Sequence, residues 1–96
     1  MKEYKINHII HYADYCKANN IDDVDDSVAK KWITDVVSDF NKDDADPKEV
    51  AMFFNVSNEN AISEIAEHNY EVSCNEDSIE VDHDTKFIKG VVTLKV

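Results

Sequence analysis

Residues 70–96 read YEVSCNEDSIEVDHDTKFIKGVVTLKV, and they decide the fold class because apolar residues recur there at every second position. This alternation is typical of β-strands that bury one face. Two turns separate the alternating stretches, at Asn75-Glu76-Asp77 and at His83-Asp84-Thr85. The segment therefore predicts an antiparallel meander of two or three strands that packs one face onto helices. The alternating apolar residues are Tyr70, Val72, Cys74, Ile79, Val81, Val92, Leu94 and Val96.

Upstream of this segment, apolar residues recur at helical spacing. The clearest helix begins at a cap provided by Asp26 or Ser27 and continues to Phe40, with one broad apolar stripe. A helix is also predicted over residues 5–18, and Asn19 and Asn20 are suited to end it. Its spacing rests on Ile6, Ile9, Ile10, Ala13 and Cys16.

Two shorter helices are predicted in the middle of the chain. Asp46, Pro47 and Glu49 provide a cap, a proline at the first helical position and a glutamate at the third. A fourth helix is expected from Ser57 or Asn58 to about residue 68. The predicted architecture is one α+β domain over residues 1–96, with about four helices followed by the small antiparallel sheet.

The order of residues over 49–67 resembles a helix-turn-helix, with Asn55 in the turn at a position that favours φ > 0. The strands that follow extend the resemblance to a winged helix, from residue 46 onward. That resemblance implies a transcription regulator that binds DNA, with Lys86, Lys89 and Lys95 on the wing. The exposed positions of the second helix carry Asn58, Glu59, Asn60, Ser63, Glu64 and Glu67, which offer nothing to hold phosphates.

Charge is the feature that departs most from an average domain. The chain has 21 acidic residues against 10 basic ones, all of them lysines, and its formal net charge is -11. Proteins that read nucleic acids usually present a basic face rich in arginine. Direct binding of DNA or RNA is therefore not expected.

The carboxylates fall in clusters, and such crowding opposes folding by self-repulsion, which suggests a use beyond solubility. A rigid domain covered with carboxylates can occupy a basic groove made for nucleic acid. Small acidic inhibitors from phages and mobile elements, of the anti-restriction or anti-CRISPR kind, are similar in size, charge and lack of motifs. The predicted binding residues, on loops at neighbouring helix ends, are Asp22, Asp23, Asp25, Asp26, Asp43, Asp44 and Asp46. A further acidic cluster comprises Glu76, Asp77, Glu80, Asp82 and Asp84.

No catalytic or metal-binding motif is present in the sequence. Residues 39–43 match the first oxygen positions of an EF-hand loop, but Asp44 and Val50 stand where that loop needs glycine and glutamate. The histidines and the two cysteines, Cys16 and Cys74, do not have the spacing of a zinc site, and free thiols are expected. The sequence thus predicts no enzyme activity, no metal and no cofactor.

The leading interpretation is a non-enzymatic module that binds a protein with a basic nucleic-acid-binding surface. We expect it in the cytoplasm, of a host cell if a phage encodes it, because there is no apolar run of about 20 residues and no signal sequence. Either a monomer or a homodimer is compatible with the sequence. One alternative is the winged-helix-like regulator. Another is a structural or immunity-type partner subunit that binds through apolar residues such as Tyr12, Tyr15 and Met52.

Overall fold

A computed structural model describes residues 2–96, which form four α-helices packed on one face of a four-stranded antiparallel sheet. One strand precedes the helices and three follow them. The elements are β1 (Glu3–His11), α1 (Ala13–Asn19), α2 (Asp26–Phe40), α3 (Pro47–Phe53), α4 (Glu59–Ala66), β2 (Glu71–Cys74), a 3-10 turn (Glu76–Ser78), β3 (Glu80–Asp82) and β4 (Phe87–Lys95).

The N-terminal segment corrects the predicted fold class. The residues predicted as a helix over 5–18 form β1 and then, after Tyr12, the short helix α1. Ile6 and Ile10 lie on the half-buried face of β1, whereas Ile9 lies on the exposed face. The spacing that indicated a helix therefore combines residues from both faces of a strand, and the order is not helices followed by a sheet.

The sheet is organised around β4, the last strand in the chain. β1 pairs with β4 over nine residues, from Glu3 opposite Lys95 to His11 opposite Phe87. β2 and β3 both pair with the other edge of β4, at its C-terminal and N-terminal halves respectively. The predicted meander is wrong, because β2 and β3 share β4 as a neighbour and do not pair with each other within residues 2–96.

The core lies between the sheet and the helices. Alternate residues of β4 face the helices, and α2 packs against β4 at Gly90, where a Cβ would lie 2.8 Å from Cδ1 of Ile33. Because glycine leaves this space free, Ile33 can pack directly on the strand. The largest fully buried side chains are Tyr12, Ile33, Val50, Ile65, Ile88, Val92 and Leu94.

The middle of the chain agrees with the sequence in its local details. Asp46 caps α3 by accepting a hydrogen bond from the backbone of Lys48, and Asn58 caps α4 by accepting two. Asn55 between these helices has φ of 55°, the left-handed conformation that asparagine tolerates. The cap of α2 is Asp25, one residue before Asp26, the earlier of the two predicted positions.

Candidate functional site

The seven predicted binding aspartates do not form one surface. Asp22, Asp23 and Asp25 precede α2 and Asp26 begins it, whereas residues 43–46 follow its last residue. Since α2 has 15 residues and an α-helix rises about 1.5 Å per residue, its length separates the two groups by roughly 22 Å. The two loops were expected at neighbouring helix ends, and they instead lie at opposite ends of one helix.

Three of the seven carboxylates are engaged within the fold. Asp25 Oδ1 accepts hydrogen bonds from the Ser27 hydroxyl and the Val28 backbone, which lower the pKa of Asp25 below its ordinary value. Asp46 serves as the cap of α3. Asp23 is at the centre of a polar network. The sequence could not separate these structural roles from binding, since caps and binding residues are both aspartates on loops.

The network around Asp23 joins the loop before α2 to the turn between β3 and β4. The buried hydroxyl of Tyr12 donates to Asp23 Oδ1, which also accepts from the backbone of Val24 at 2.8 Å. On the other oxygen, Oδ2, His83 Nδ1 lies at 2.8 Å and Lys86 Nζ at 3.1 Å. These hydrogen bonds, of which that from Tyr12 has the largest effect, hold the pKa of Asp23 well below its usual range.

Lys86 fixes the geometry of this junction. Its backbone has φ of 62°, its carbonyl accepts from the Tyr12 amide at 2.8 Å, and its Nζ donates to the Asp22 carbonyl at 2.9 Å. Within the turn, Asp82 Oδ1 accepts from the backbone of Asp84 and Thr85. The lysine therefore holds two acidic segments side by side, although they are far apart in sequence.

The result is a surface that we call the acidic end, built from three segments of the chain. It surrounds an open cleft of about 620 Å³ that is lined by Asp26, Glu76, Asp77, Glu80, Lys30 and His83, with Ile79 and Val81. Of these carboxylates, Glu80 also pairs with Lys89 at 3.3 Å. The exposed carboxylates of the acidic end are Asp22, Asp25, Asp26, Glu76, Asp77, Glu80, Asp82 and Asp84, of which Asp25 and Asp82 also accept hydrogen bonds from the local backbone.

The acidic cluster at residues 76–84 is evident in the sequence, but it was not among the predicted binding residues. The signal that joins it to residues 22–26 is a pair of cationic or ionisable side chains, His83 and Lys86, in an otherwise acidic stretch. Within residues 2–96, no three metal-ligating side chains lie close enough together to hold an ion. The arrangement is thus an extended electrostatic surface, and its chemistry is the attraction of cationic groups.

The residues that the alternative interpretations require are only partly available: the lysines and Tyr12 are engaged or buried, whereas Met52 and Tyr15 are exposed as expected. The wing lysines are engaged with carboxylates or backbone: Lys86 with Asp22 and Asp23, Lys89 with Glu80, and Lys95 with Glu3 at 3.8 Å. Tyr12, expected to be an apolar surface residue, is 1% exposed. Met52 and Tyr15 are exposed.

No family model, curated protein or solved structure matches the chain. None of the helices within residues 2–96 has both the length and the apolar character needed to cross a bilayer. The two cysteines are free thiols, Cys16 buried and Cys74 half-buried. The geometry of the chain itself therefore carries the functional argument.

Proposed function

We propose that this protein is a non-enzymatic binding module whose acidic end occupies a basic surface of another protein. The observation that carries the proposal is that Asp26, Glu76, Asp77 and Glu80 line one cleft, and that the Asp23 network joins the acidic loop before α2 to the turn at residues 82–84 beside it. Like charges gathered on a rigid frame repel one another, and a cationic partner relieves that repulsion.

We further propose that the partner surface is one that binds nucleic acid, so that the module acts as an inhibitor by mimicry of DNA. Duplex DNA carries about one negative charge per 1.7 Å of axis. The grooves of proteins that bind it are lined with lysine and arginine. The net charge of -11, the absence of arginine and the engaged lysines of the sheet support this direction. An inhibitor of the anti-restriction or anti-CRISPR kind is the most specific form of the proposal.

Two variants with the same net charge test where binding occurs. The first reverses the acidic end, with Asp22, Glu76, Asp77 and Asp84 changed to lysine. The matched control reverses four exposed carboxylates elsewhere, with Asp43, Asp44, Glu64 and Glu67 changed to lysine. Tagged proteins capture partners from lysate, and the affinity for each identified partner is then measured by calorimetry at low and high salt.

We expect the acidic-end variant to lose at least tenfold in affinity and the control to keep most of it, with binding by the native protein falling as salt rises. Duplex DNA should compete with the module for the purified partner. Equal losses in both variants would leave only non-specific charge attraction, and loss in the control alone would move the site to residues 43–46. A salt-sensitive shift of duplex DNA by the module itself would favour the DNA-binding regulator instead.

A further inference from the structure

Among residues 2–96, nothing pairs with the backbone groups on the edge of β1 that faces away from β4. Lys2 and Val96 exchange both of their backbone hydrogen bonds, and the Tyr12 amide donates to Lys86. In an antiparallel pair, such bonded residues alternate, so the even-numbered residues of β1 bond to β4. The amide and carbonyl groups that point outward therefore belong to Glu3, Lys5, Asn7, Ile9 and His11, and we call this the outer edge of β1.

The two edges of the sheet differ in whether a side chain covers their backbone groups. On the opposite side, the side chain of Asn41 covers the edge of β2: its Nδ2 donates to the Val72 carbonyl at 2.8 Å, and its Oδ1 accepts from the Val72 amide at 2.9 Å. The outer edge of β1 has no such cover within residues 2–96. It also has no proline, glycine or bulge, since its nine pairs with β4 are consecutive. Proline, bulges and a covering segment are among the usual features that prevent a free edge from pairing, and of the others this edge has charged side chains, on Glu3 and Lys5.

Apolar side chains flank the outer edge of β1 on both faces of the sheet. On the open face, Ile9 is 59% exposed and lies near Phe87, which is also exposed. On the helix face, a groove of about 350 Å³ runs beside the end of the strand, where Tyr15 packs edge-on against Trp32 with ring centroids 4.8 Å apart. A strand added to this edge would cover apolar surface on each side as well as satisfy the backbone.

The distribution of charge leaves this edge free for a second copy and favours one direction of pairing. No carboxylate stands between Glu3 and Asp14, a stretch that carries Lys5, His8 and His11 in a chain with 21 acidic residues. The acidic end adjoins only the C-terminal end of β1, through the Tyr12 to Lys86 hydrogen bond. Two copies that meet edge to edge and antiparallel would hold their acidic ends at opposite ends of the joined strands, with about 30 Å of β1 between them.

We propose that the outer edge of β1 binds a second copy of this chain, as an antiparallel pair about a twofold axis at Asn7. In this register Glu3 of each copy faces His11 of the other, Lys5 faces Ile9, and the two Asn7 residues face each other. All five outward residues are then hydrogen-bonded pairs, and the two sheets become continuous. The glutamate and histidine pairing places opposite charges together when the histidine is protonated. The inference does not depend on the proposed function.

Salt separates this association from capture of a basic partner. Two chains of charge -11 repel each other, so screening should strengthen self-association, whereas it weakens binding between opposite charges. Sedimentation of the full chain over a range of concentrations at low and high salt measures the first effect. We expect a monomer–dimer equilibrium that shifts toward dimer as salt rises.

Two pairs of variants test the edge itself. Asn7→Pro removes an outward amide and keeps every hydrogen bond to β4, because proline is tolerated at the solvent side of an edge strand. Asn7→Ala is its control. Ile9→Lys places a charge in the proposed interface, and Met52→Lys places the same charge at a site 78% exposed on α3. We expect at least a tenfold weaker dimer for Asn7→Pro and Ile9→Lys, and little change for the two controls.

A chain that sediments as a monomer at every concentration and salt would overturn the proposal, and it would leave the edge to a peptide from another protein. A dimer that Ile9→Lys leaves intact would overturn it as well. Circular dichroism reports whether Asn7→Pro remains folded, and if it does not, the comparison of Ile9→Lys with Met52→Lys decides the question.

Discussion

Asp23 and His83 stand 60 positions apart in the chain, and Oδ2 of the first lies 2.8 Å from Nδ1 of the second. With the buried Tyr12 on the other carboxylate oxygen, this contact makes Asp23 the point where β1, the loop before α2 and the turn before β4 are tied together. The acidic end depends on this junction, because the surrounding carboxylates repel one another.

Asp23 should give the protein a defined sensitivity to acid. Its pKa is depressed in the fold, so its contribution to stability is present above the ordinary aspartate pKa of about 4 and is lost as the pH falls toward the folded value. Urea unfolding of Asp23→Asn should therefore show a lower free energy of unfolding than the native chain at neutral pH, with a difference that shrinks in acid. Asp43→Asn is the control and should change stability little. A difference that stays constant down to low pH would contradict this role.

The hydroxyl groups of two tyrosines in the N-terminal part of the chain should contribute differently to stability. The hydroxyl of Tyr12 donates to Asp23, whereas that of Tyr4 is buried without a hydrogen-bond partner among the described residues. We expect Tyr12→Phe to lower the free energy of unfolding by about 1–2 kcal/mol, and Tyr4→Phe to leave it unchanged or raise it. Thermal and urea unfolding of the two variants measure this. Equal effects would indicate that the Tyr12 hydrogen bond adds nothing.

Asn41 should be sensitive to replacement by its closest analogue. Asn41→Asp keeps the acceptor for the Val72 amide and puts an oxygen opposite the Val72 carbonyl, in place of a donor at 2.8 Å. We expect the free energy of unfolding to fall by about 1–3 kcal/mol, because the Val72 carbonyl loses its hydrogen-bond donor and faces another oxygen instead. Asn60→Asp adds the same charge to an exposed position in α4 and should be nearly neutral. Hydrogen exchange at the Val72 amide would locate the effect at β2.

The close approach of α2 to β4 predicts a pair of compensating substitutions. Gly90→Ala would put a Cβ 2.8 Å from Ile33 Cδ1 and 3.2 Å from Ile79 Cγ1. We expect this overpacking to lower the free energy of unfolding by about 1–3 kcal/mol. Ile33→Val removes the offending Cδ1, so adding it to Gly90→Ala should cost less than the sum of the two single changes. Simple additivity in a double-mutant cycle would argue against direct contact.

The sequence predicted those elements whose signals are local. The caps at Asp46 and Asn58 and the positive φ of Asn55 follow from residues within a few positions of each other. The segment at Ile6, Ile9 and Ile10 was assigned wrongly because its spacing fits a helix, while its pairing with β4 is decided by residues at the other end of the chain. Its content of β-branched isoleucine was the signal for a strand.

The candidate site was predictable only in part for the same reason. Residues 22–26 were recognised as an acidic segment from composition alone. Their proximity to residues 76–84 follows from contacts made by Lys86 and His83 across the fold, which no local pattern encodes. Conversely, the helix predicted up to Phe40 already separates residues 22–26 from residues 43–46, and the expectation of one binding surface did not take its length into account.

The central position of β4 has a consequence for how the chain acquires its structure. Every other strand pairs with β4, and its partner β1 lies at the opposite end of the sequence. During synthesis, β1 has no strand to pair with until β4 is made, after all four helices. The sheet can assemble only once residues 87–95 have left the ribosome. Because closing so long a loop carries an entropy cost, we expect this chain to fold more slowly than a domain of similar size held together by local contacts.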